Sequence, residues 1–284
     1  MGKLEGKVCI ITGASRGIGK DTAELLAAEG AKVACVARTL HEGDHPYEGS
    51  LDRTVAEIRA TGGEGYAFPA DLSEHEQCVQ VVDGIRDHYG PVDVLVNNAA
   101  LAHFVAFDEY QSSKWYRSLL VNLHAPIDMS QLVLPDMINR RSGAIVNVGS
   151  SVAIGPGRGP YRASQPGDGQ RIGASTVYGT GKAALERFTQ GLASEVYAHG
   201  ISVTCVSPSQ VVPSPNTYAL GVVSDENSEP PEYMPRAILL LATDPLDTVT
   251  GRVTYSQQIL MEFGWIDEAR GGGVDRPGSG FSQV

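Results

Sequence analysis

Val8-Cys9-Ile10-Ile11-Thr12-Gly13-Ala14-Ser15-Arg16-Gly17-Ile18-Gly19 is an apolar run followed by a glycine-rich turn and the first residues of a helical pattern. The apolar part, Val8 to Ile11, is short and rich in β-branched side chains, which marks a strand covered on both faces, as in a parallel sheet. The glycines permit a tight turn and let backbone N–H groups approach an anion. The helix that follows adds the partial positive charge of its N-terminus. Placed between strand and helix, Gly13-x-x-x-Gly17-x-Gly19 reads as a dinucleotide-binding turn, in a spacing different from the more widespread Gly-x-Gly-x-x-Gly.

The same grammar recurs along the chain. Lys32 to Ala37, Val92 to Val96, Ala144 to Val148 and Ile201 to Val206 read as buried strands, with Gly65 to Pro69 a weaker sixth. Helical periodicity runs through Lys20 to Glu29, Leu51 to Thr61, Glu74 to Tyr89, Ser112 to Arg140 and Tyr178 to His199. This alternation predicts an α/β fold: a doubly wound parallel sheet with ligands at the carboxyl ends of its strands. Neither an internal repeat nor a linker between two cores is visible, so residues 1–270 are expected to form one domain. Thr39 to Ser50 and Gly155 to Ser175, rich in Gly, Pro and polar residues, read as long loops, and 271–284 as a flexible tail.

Composition narrows the function. The chain carries 22 Lys and Arg against 33 Asp and Glu, a net charge of −11, and has no basic run to neutralise a phosphate backbone. Nucleic acid is therefore not an expected partner. The four cysteines, Cys9, Cys35, Cys78 and Cys205, lack zinc-site spacing and disulfide-scaffold density, and read as reduced buried thiols. With no apolar segment of signal-peptide or membrane-span length, a cytoplasmic protein is expected.

Two overlapping patterns point elsewhere and fail on mechanical grounds. Gly13-Ala14-Ser15-Arg16-Gly17 fits a nucleophile elbow, but on the first strand no upstream loop exists to complete an oxyanion hole. His41-Glu42-Gly43-Asp44-His45 fits a zinc-protease helix, but it contains Gly43 and ends against Pro46. No metal is expected.

At the end of the second strand an NAD-selective site would place an acid on the ribose 2′-hydroxyl, whereas this chain has Ala37-Arg38. The Arg38 guanidinium, with Arg16 as a second positive charge, suits a 2′-phosphate and favours NADP(H) over NAD(H). Further on stand Asn97-Asn98-Ala99-Ala100, Asn122 in a helix, Asn147-Val148-Gly149-Ser150 after a strand, and Tyr178-Gly179-Thr180-Gly181-Lys182. In this order and placement the motifs resemble those of the classical short-chain dehydrogenase/reductase family, over roughly residues 4 to 265.

The resemblance implies a Rossmann fold and a catalytic set of Asn122, Ser150, Tyr178 and Lys182. Tyr178 would be general acid/base, Lys182 its electrostatic partner, Ser150 the carbonyl-polarising donor and Asn122 the support of a proton relay. Physical chemistry agrees, since residues four apart share a helix face and an ammonium beside a phenol lowers its pKa. The resemblance further implies that Gly13, Ser15, Arg16, Gly17, Ile18 and Gly19 hold the pyrophosphate. It places Asp71 and Leu72 at the adenine, Asn98 and Ala99 at the ribose, and Pro208 and Val211 at the nicotinamide amide, with Tyr178 and Lys182 also touching the cofactor. A homo-oligomer, dimer or tetramer, and a small-molecule carbonyl or alcohol substrate belong to the same picture.

Three departures stand out. Between Ser150 and Tyr178 lie 27 residues, more than the family places there, so Gly155 to Ser175 reads as an inserted loop, either a mobile lid over the substrate or a surface excursion without function. The usual Pro-Gly is Pro208-Ser209 and the family's threonine is replaced by Pro213. The usual Asp-Gly-Gly, at the common tetrameric contact, is Gln257-Gln258-Ile259. The leading reading is reduction of a ketone or oxidation of a secondary alcohol. Reduction of an activated C=C bond and non-catalytic NADPH sensing stand as alternatives. Leu101, Phe104, Phe107 and Tyr161 are candidates to line an apolar substrate site.

Overall fold

The computed structural model describes residues 2–155 and 174–270. Among the described residues seven parallel strands form one sheet in the order β3-β2-β1-β4-β5-β6-β7. They are β1 (Val8–Thr12), β2 (Lys32–Ala37), β3 (Glu64–Pro69), β4 (Val94–Asn97), β5 (Gly143–Val148), β6 (Ile201–Ser207) and β7 (Val253–Tyr255). The order reverses between β1 and β4, which makes a crevice at their carboxyl ends.

Strand residues alternate between two apolar layers, as a period of two requires. Cys9, Ile11, Val33 and Cys35 face the layer formed with α1 (Gly17–Ala28), α2 (Leu51–Ala60), α8 (Tyr233–Thr243) and α10 (Ser256–Glu262). Ile10, Ala34, Val36 and Leu95 face the opposite layer, formed with α3 (His75–Tyr89), α5 (Ala125–Arg140) and α6 (Thr176–Val196). All four cysteines are free and buried within this sandwich. Among the described residues no helix is long and apolar enough to cross a membrane.

Several expectations are corrected in detail. The fourth strand runs Val94–Asn97, two residues later at its start than its apolar run suggests, and the first helix begins at Gly17, not Lys20. Helix α8, the short α7 (Pro215–Ala219) and α9 (Leu246–Val249), and β7 with α10 are additions to the sequence reading. Helix α8 lacks a polar stripe because Ala237 through Leu241 are all buried.

The expected single helix from Ser112 to Arg140 is divided into α4 (Ser112–Leu119), a π-helical turn Leu120–His124, and α5. Its cause is legible, because the residue that would close the α-helical bond to the Asn122 carbonyl is Pro126, which has no N–H. The wider turn is seen in the bond from Ala125 N–H to the Leu120 carbonyl. The proposed lid residues 156–173, Tyr161 among them, and the tail 271–284 lie outside the described residues.

Candidate active site

The glycine turn is braced from below by the motif after β4. Asn98 Nδ2 donates to the carbonyls of Thr12 (2.9 Å) and Gly13 (3.3 Å), and the Thr12 hydroxyl accepts the N–H groups of Asn98 and Ala99 (2.9 and 3.0 Å). The approach is close enough to demand glycine: a Cβ at Gly13 would stand 2.8 Å from Asn98 Nδ2 and one at Gly19 2.3 Å from the Gly13 carbonyl oxygen. Gly13 also has φ of 71°. Above this turn α1 begins with no side-chain cap and no acid in its first turn, leaving its N-terminal dipole for an external anion. These features fit a dinucleotide pyrophosphate.

The positive end of β2 is organised by the loop 39–50. Arg16 Nη2 donates to the Gly49 carbonyl (2.7 Å) and the Thr39 hydroxyl (3.3 Å), while Nη1 meets His45 Nδ1 at 3.1 Å. Burial, then Arg16 and Arg38, push the His45 imidazole down, consistent with a neutral ring that accepts from Arg16 and from Tyr47 N–H (3.1 Å). Arg16 is thus committed to the loop, whereas Arg38 is exposed at the strand end. The zinc-protease look-alike dissolves into separate contacts. His41 meets Asp52 at 2.6 Å, Glu42 accepts Gly49 N–H at 3.1 Å, and His45 serves Arg16.

Nearby, Asp71 accepts from the Ser73 hydroxyl (2.8 Å) and from Arg117 (2.6 Å). Against the cost of its burial, these partners and the Arg38 charge hold its carboxyl below the usual carboxylate range. Leu72, beside it, is buried.

The residues expected to react converge at the ends of β4 and β5 and on the first turns of α6. Tyr178 and Lys182 share a face of α6, with Lys182 Nζ 5.7 Å from the Tyr178 ring centroid. Ser150 stands beside the Tyr178 hydroxyl and favours its phenolate. Between them Gly179 lets the helix press on the turn Ser151–Ala153, since a Cβ there would lie 2.7 Å from the Val152 carbonyl oxygen. That packing holds the turn that follows Ser150 against the helix that carries Tyr178.

Lys182 is 1% exposed and donates to the Val148 carbonyl at 2.6 Å. Asn122, fully buried, is clamped on Leu101: its Oδ1 accepts the Leu101 N–H (3.0 Å) and its Nδ2 donates to the Leu101 carbonyl (2.8 Å). Its side chain is thereby committed to Leu101 and to the Ser118 hydroxyl (3.0 Å), while Pro126 denies its carbonyl the α-helical N–H. The Asn97 amide donates to Asn147 Oδ1 and the Asn147 amide to the Thr189 hydroxyl, each at 2.9 Å, fixing β4, β5 and α6 together.

Electrostatics differ from the expectation of a lowered phenol. Burial pushes Tyr178 up to about 12 and pushes Lys182 down to about 8. Desolvation outweighs the effect of Ser150, so the Tyr178 phenol is protonated at neutral pH. One turn past Lys182, burial raises Glu186 to about 7.

Over the rim runs the segment after β6. Ser207 Oγ lies 2.4 Å from where a Cβ on Gly149 would be, and Ser214 Cβ lies 3.1 Å from that position on Gly17. Pro208 and Val211 therefore sit on a strap between the Ser150 end of the crevice and the glycine turn. Three residues that the sequence reading passed over organise this strap: Ser214, which caps α7, and the buried pair Glu229 and Ser256. Their signal was absent from local pattern. Phe104, a sequence candidate for the substrate wall, stands edge-on to the Tyr178 ring at 6.1 Å, while Phe107 packs on Trp115.

This architecture, a switch-point crevice with Ser150, Tyr178 and Lys182 at its rim, is that of a nicotinamide-dependent oxidoreductase, and comparison with known proteins agrees. A family model described as short chain dehydrogenase matches residues 7–220, and the chain belongs to the short-chain dehydrogenase/reductase family, NAD(P)-binding oxidoreductases of CH–OH and C=O centres. Among its relatives, the 3-oxoacyl-[acyl-carrier-protein] reductase FabG of Thermotoga maritima is 34% identical over 262 residues, 88% of this chain and 96% of that one. A short chain dehydrogenase of Pseudocercospora fijiensis is 35% identical over 212 residues, 74% of this chain but only 61% of the relative's length. Among solved structures, a putative NAD(P)-dependent gluconate 5-dehydrogenase from Beutenbergia cavernae with bound NADP superposes with a TM-score of 0.73 at 28% identity, covering 89% of this chain and 96% of that one. A metagenomic short-chain oxidoreductase in complex with NADP gives a TM-score of 0.67 at 28% identity, over 85% of this chain and 93% of that one.

Proposed function

We propose that this protein is an NADP(H)-dependent oxidoreductase that moves a hydride between nicotinamide and the ketone or secondary-alcohol carbon of a small, apolar substrate. The observation that carries the reading is Tyr178 with Lys182 on the same helix face, Nζ 5.7 Å from its ring, and Ser150 beside the phenol. The bound dinucleotide supplies or accepts the hydride. Ser150 donates a hydrogen bond to the substrate oxygen, and Tyr178, protonated at neutral pH, delivers its proton to that oxygen in the reductive direction. Lys182, positively charged below about 8, stabilises the phenolate left behind. The edge of Phe104 beside Tyr178 supports an apolar substrate wall.

The relatives named as reductases of 3-oxoacyl groups support a carbonyl substrate, and the NADP-bound neighbours support the phosphorylated cofactor. In this chain the preference is carried by Arg38, exposed where an acid would repel the 2′-phosphate.

Tyr178→Phe should leave NADPH affinity within about twofold while turnover on a ketone found by panel screening falls by roughly 10²–10⁴. Near-normal turnover would overturn the assignment. Arg38→Asp should weaken NADPH binding at least about tenfold and spare NADH, as read by cofactor fluorescence, since removing a charge-assisted contact and adding repulsion act in the same direction. Equal affinity of the unmodified protein for the two cofactors would refute the NADP(H) preference.

A further inference from the structure

Glu229 is a carboxylate 1% exposed, outside every residue set used for the reaction above. Its oxygens each accept the Ser256 hydroxyl at 2.8 Å, and Oε2 also takes the Gln257 amide at 3.2 Å. Backbone N–H groups of Gln210 and Ser209 lie against the same carboxylate. The Ser209 hydroxyl in turn accepts the Gln257 N–H at 3.0 Å, and Ser209 N–H donates to Ser256 Oγ at 3.0 Å. The main chain of Glu229 contributes too. Its N–H donates to the Val211 carbonyl at 3.0 Å, and Val211 N–H donates to the Asn227 carbonyl at 2.9 Å, so Val211 and Ser228 form an isolated parallel bridge.

Two of the departures from the family pattern thus meet in one place. Ser209, which breaks Pro-Gly, and Gln257, which opens the segment replacing Asp-Gly-Gly, are partners in a single buried knot centred on Glu229. A buried carboxylate is costly unless hydrogen-bonded, and here its hydrogen bonds come from neutral donors. The knot grips Ser209, Gln210 and Val211, the middle of the strap that runs from the Gly149–Ser150 end of the rim to the glycine turn at Gly17.

We propose that Glu229 is a positioning residue that fixes the backbone of the 208–214 strap, and through it the nicotinamide half of the bound dinucleotide, without acting on the adenosine half. The adenosine half is held by separate elements, at the ends of β2 and β3 around Arg38 and Asp71. The inference rests on the nicotinamide-oxidoreductase reading and adds a residue to it.

The test compares a whole cofactor with half of one. Dissociation constants of NADPH and of adenosine 2′,5′-bisphosphate are measured calorimetrically for the unmodified protein and for Glu229→Ala, Glu229→Gln and Ser256→Ala. NADH and ADP replace them if the unmodified protein prefers NADH. Glu229→Ala should weaken NADPH at least about tenfold while the adenosine bisphosphate changes by less than about twofold. Glu229→Gln, which keeps one acceptor oxygen, should recover part of the loss, and Ser256→Ala should lie between. With 4-deuterated NADPH and a ketone substrate, turnover should fall and the isotope effect on it should rise.

Parallel loss of both ligands alongside a fall in melting temperature would show a merely structural role and overturn the proposal. Unchanged NADPH affinity and isotope effect in all variants that fold would also overturn it, while leaving the oxidoreductase reading intact. Should Glu229→Ala not fold, Glu229→Gln and Ser256→Ala decide by the same criteria. Failure of the unmodified protein to bind either nicotinamide cofactor would instead strike the reading on which the inference rests.

Discussion

Glu229 and Glu186 both have carboxyls raised by burial to about 7, well above their ordinary 4.5. Between those limits the folded chain binds protons that the unfolded chain has already released. The stability they contribute is therefore full below about 4.5 and is lost as pH rises through about 7. Other groups titrate in the same range, so the difference between two proteins isolates one of them. Denaturant unfolding of the unmodified protein and of Glu229→Gln at pH 5 and pH 8 should show the unmodified protein losing more stability on going to pH 8, by on the order of 2 kcal/mol. An identical pH dependence in the two would show that Glu229 is not protonated in this way. At this scale the sequence discloses the residues with local spacing, such as Lys182 four positions after Tyr178, and hides the knot around Glu229. Ser209, Glu229 and Ser256 come from three distant segments and become neighbours only when β6, β7 and α10 are assembled.

The start of α6 shows how one element orders the chemistry by shape. Gly179 appears replaceable by propensity alone, and Ala in a helix interior gains about 1 kcal/mol over Gly. A methyl there would nonetheless sit 2.7 Å from the Val152 carbonyl oxygen, a backbone atom that cannot swing aside. Overpacking of this kind costs roughly 1–3 kcal/mol, which exceeds the propensity gain. Gly179→Ala should therefore be neutral to destabilising, by up to about 2 kcal/mol in denaturant unfolding. Turnover should fall about tenfold or more with NADPH affinity unchanged, because the Ser151–Ala153 turn carries Ser150 away from Tyr178. Unaltered turnover would mean that the contact does not set the distance. Among the elements, α6 and the strands are legible because their apolar patterns are strong and local. Helix α8 is not, because burial on every side erases its period, and the π turn needed Pro126 to be read as a missing donor to Asn122 rather than as an ordinary helix-start proline.

Across the whole molecule the sheet is legible from the sequence, since continuous β-branched runs separated by helical segments permit few arrangements besides a parallel sheet with a switch-point crevice. Its last strand is not, because Val253–Tyr255 is three residues long and gains its identity only from pairing with Cys205 to Ser207. The four cysteines carry a consequence of this architecture. Cys9 and Cys35 lie in adjacent strands on one layer, Cys78 packs on the other, and Cys205 lies beneath Gly149 at the catalytic rim. Burial raises all four thiols, so none offers a thiolate at neutral pH in the folded state. They amount to four silent reporters at known depths. A thiol-specific chromogenic reagent should leave them untouched over minutes in buffer and modify all four on denaturation. Under mild denaturant, the order in which they react would time the opening of each layer, and Cys205 reacting ahead of Cys9 and Cys35 would reveal that the catalytic end breathes before the rest of the sheet.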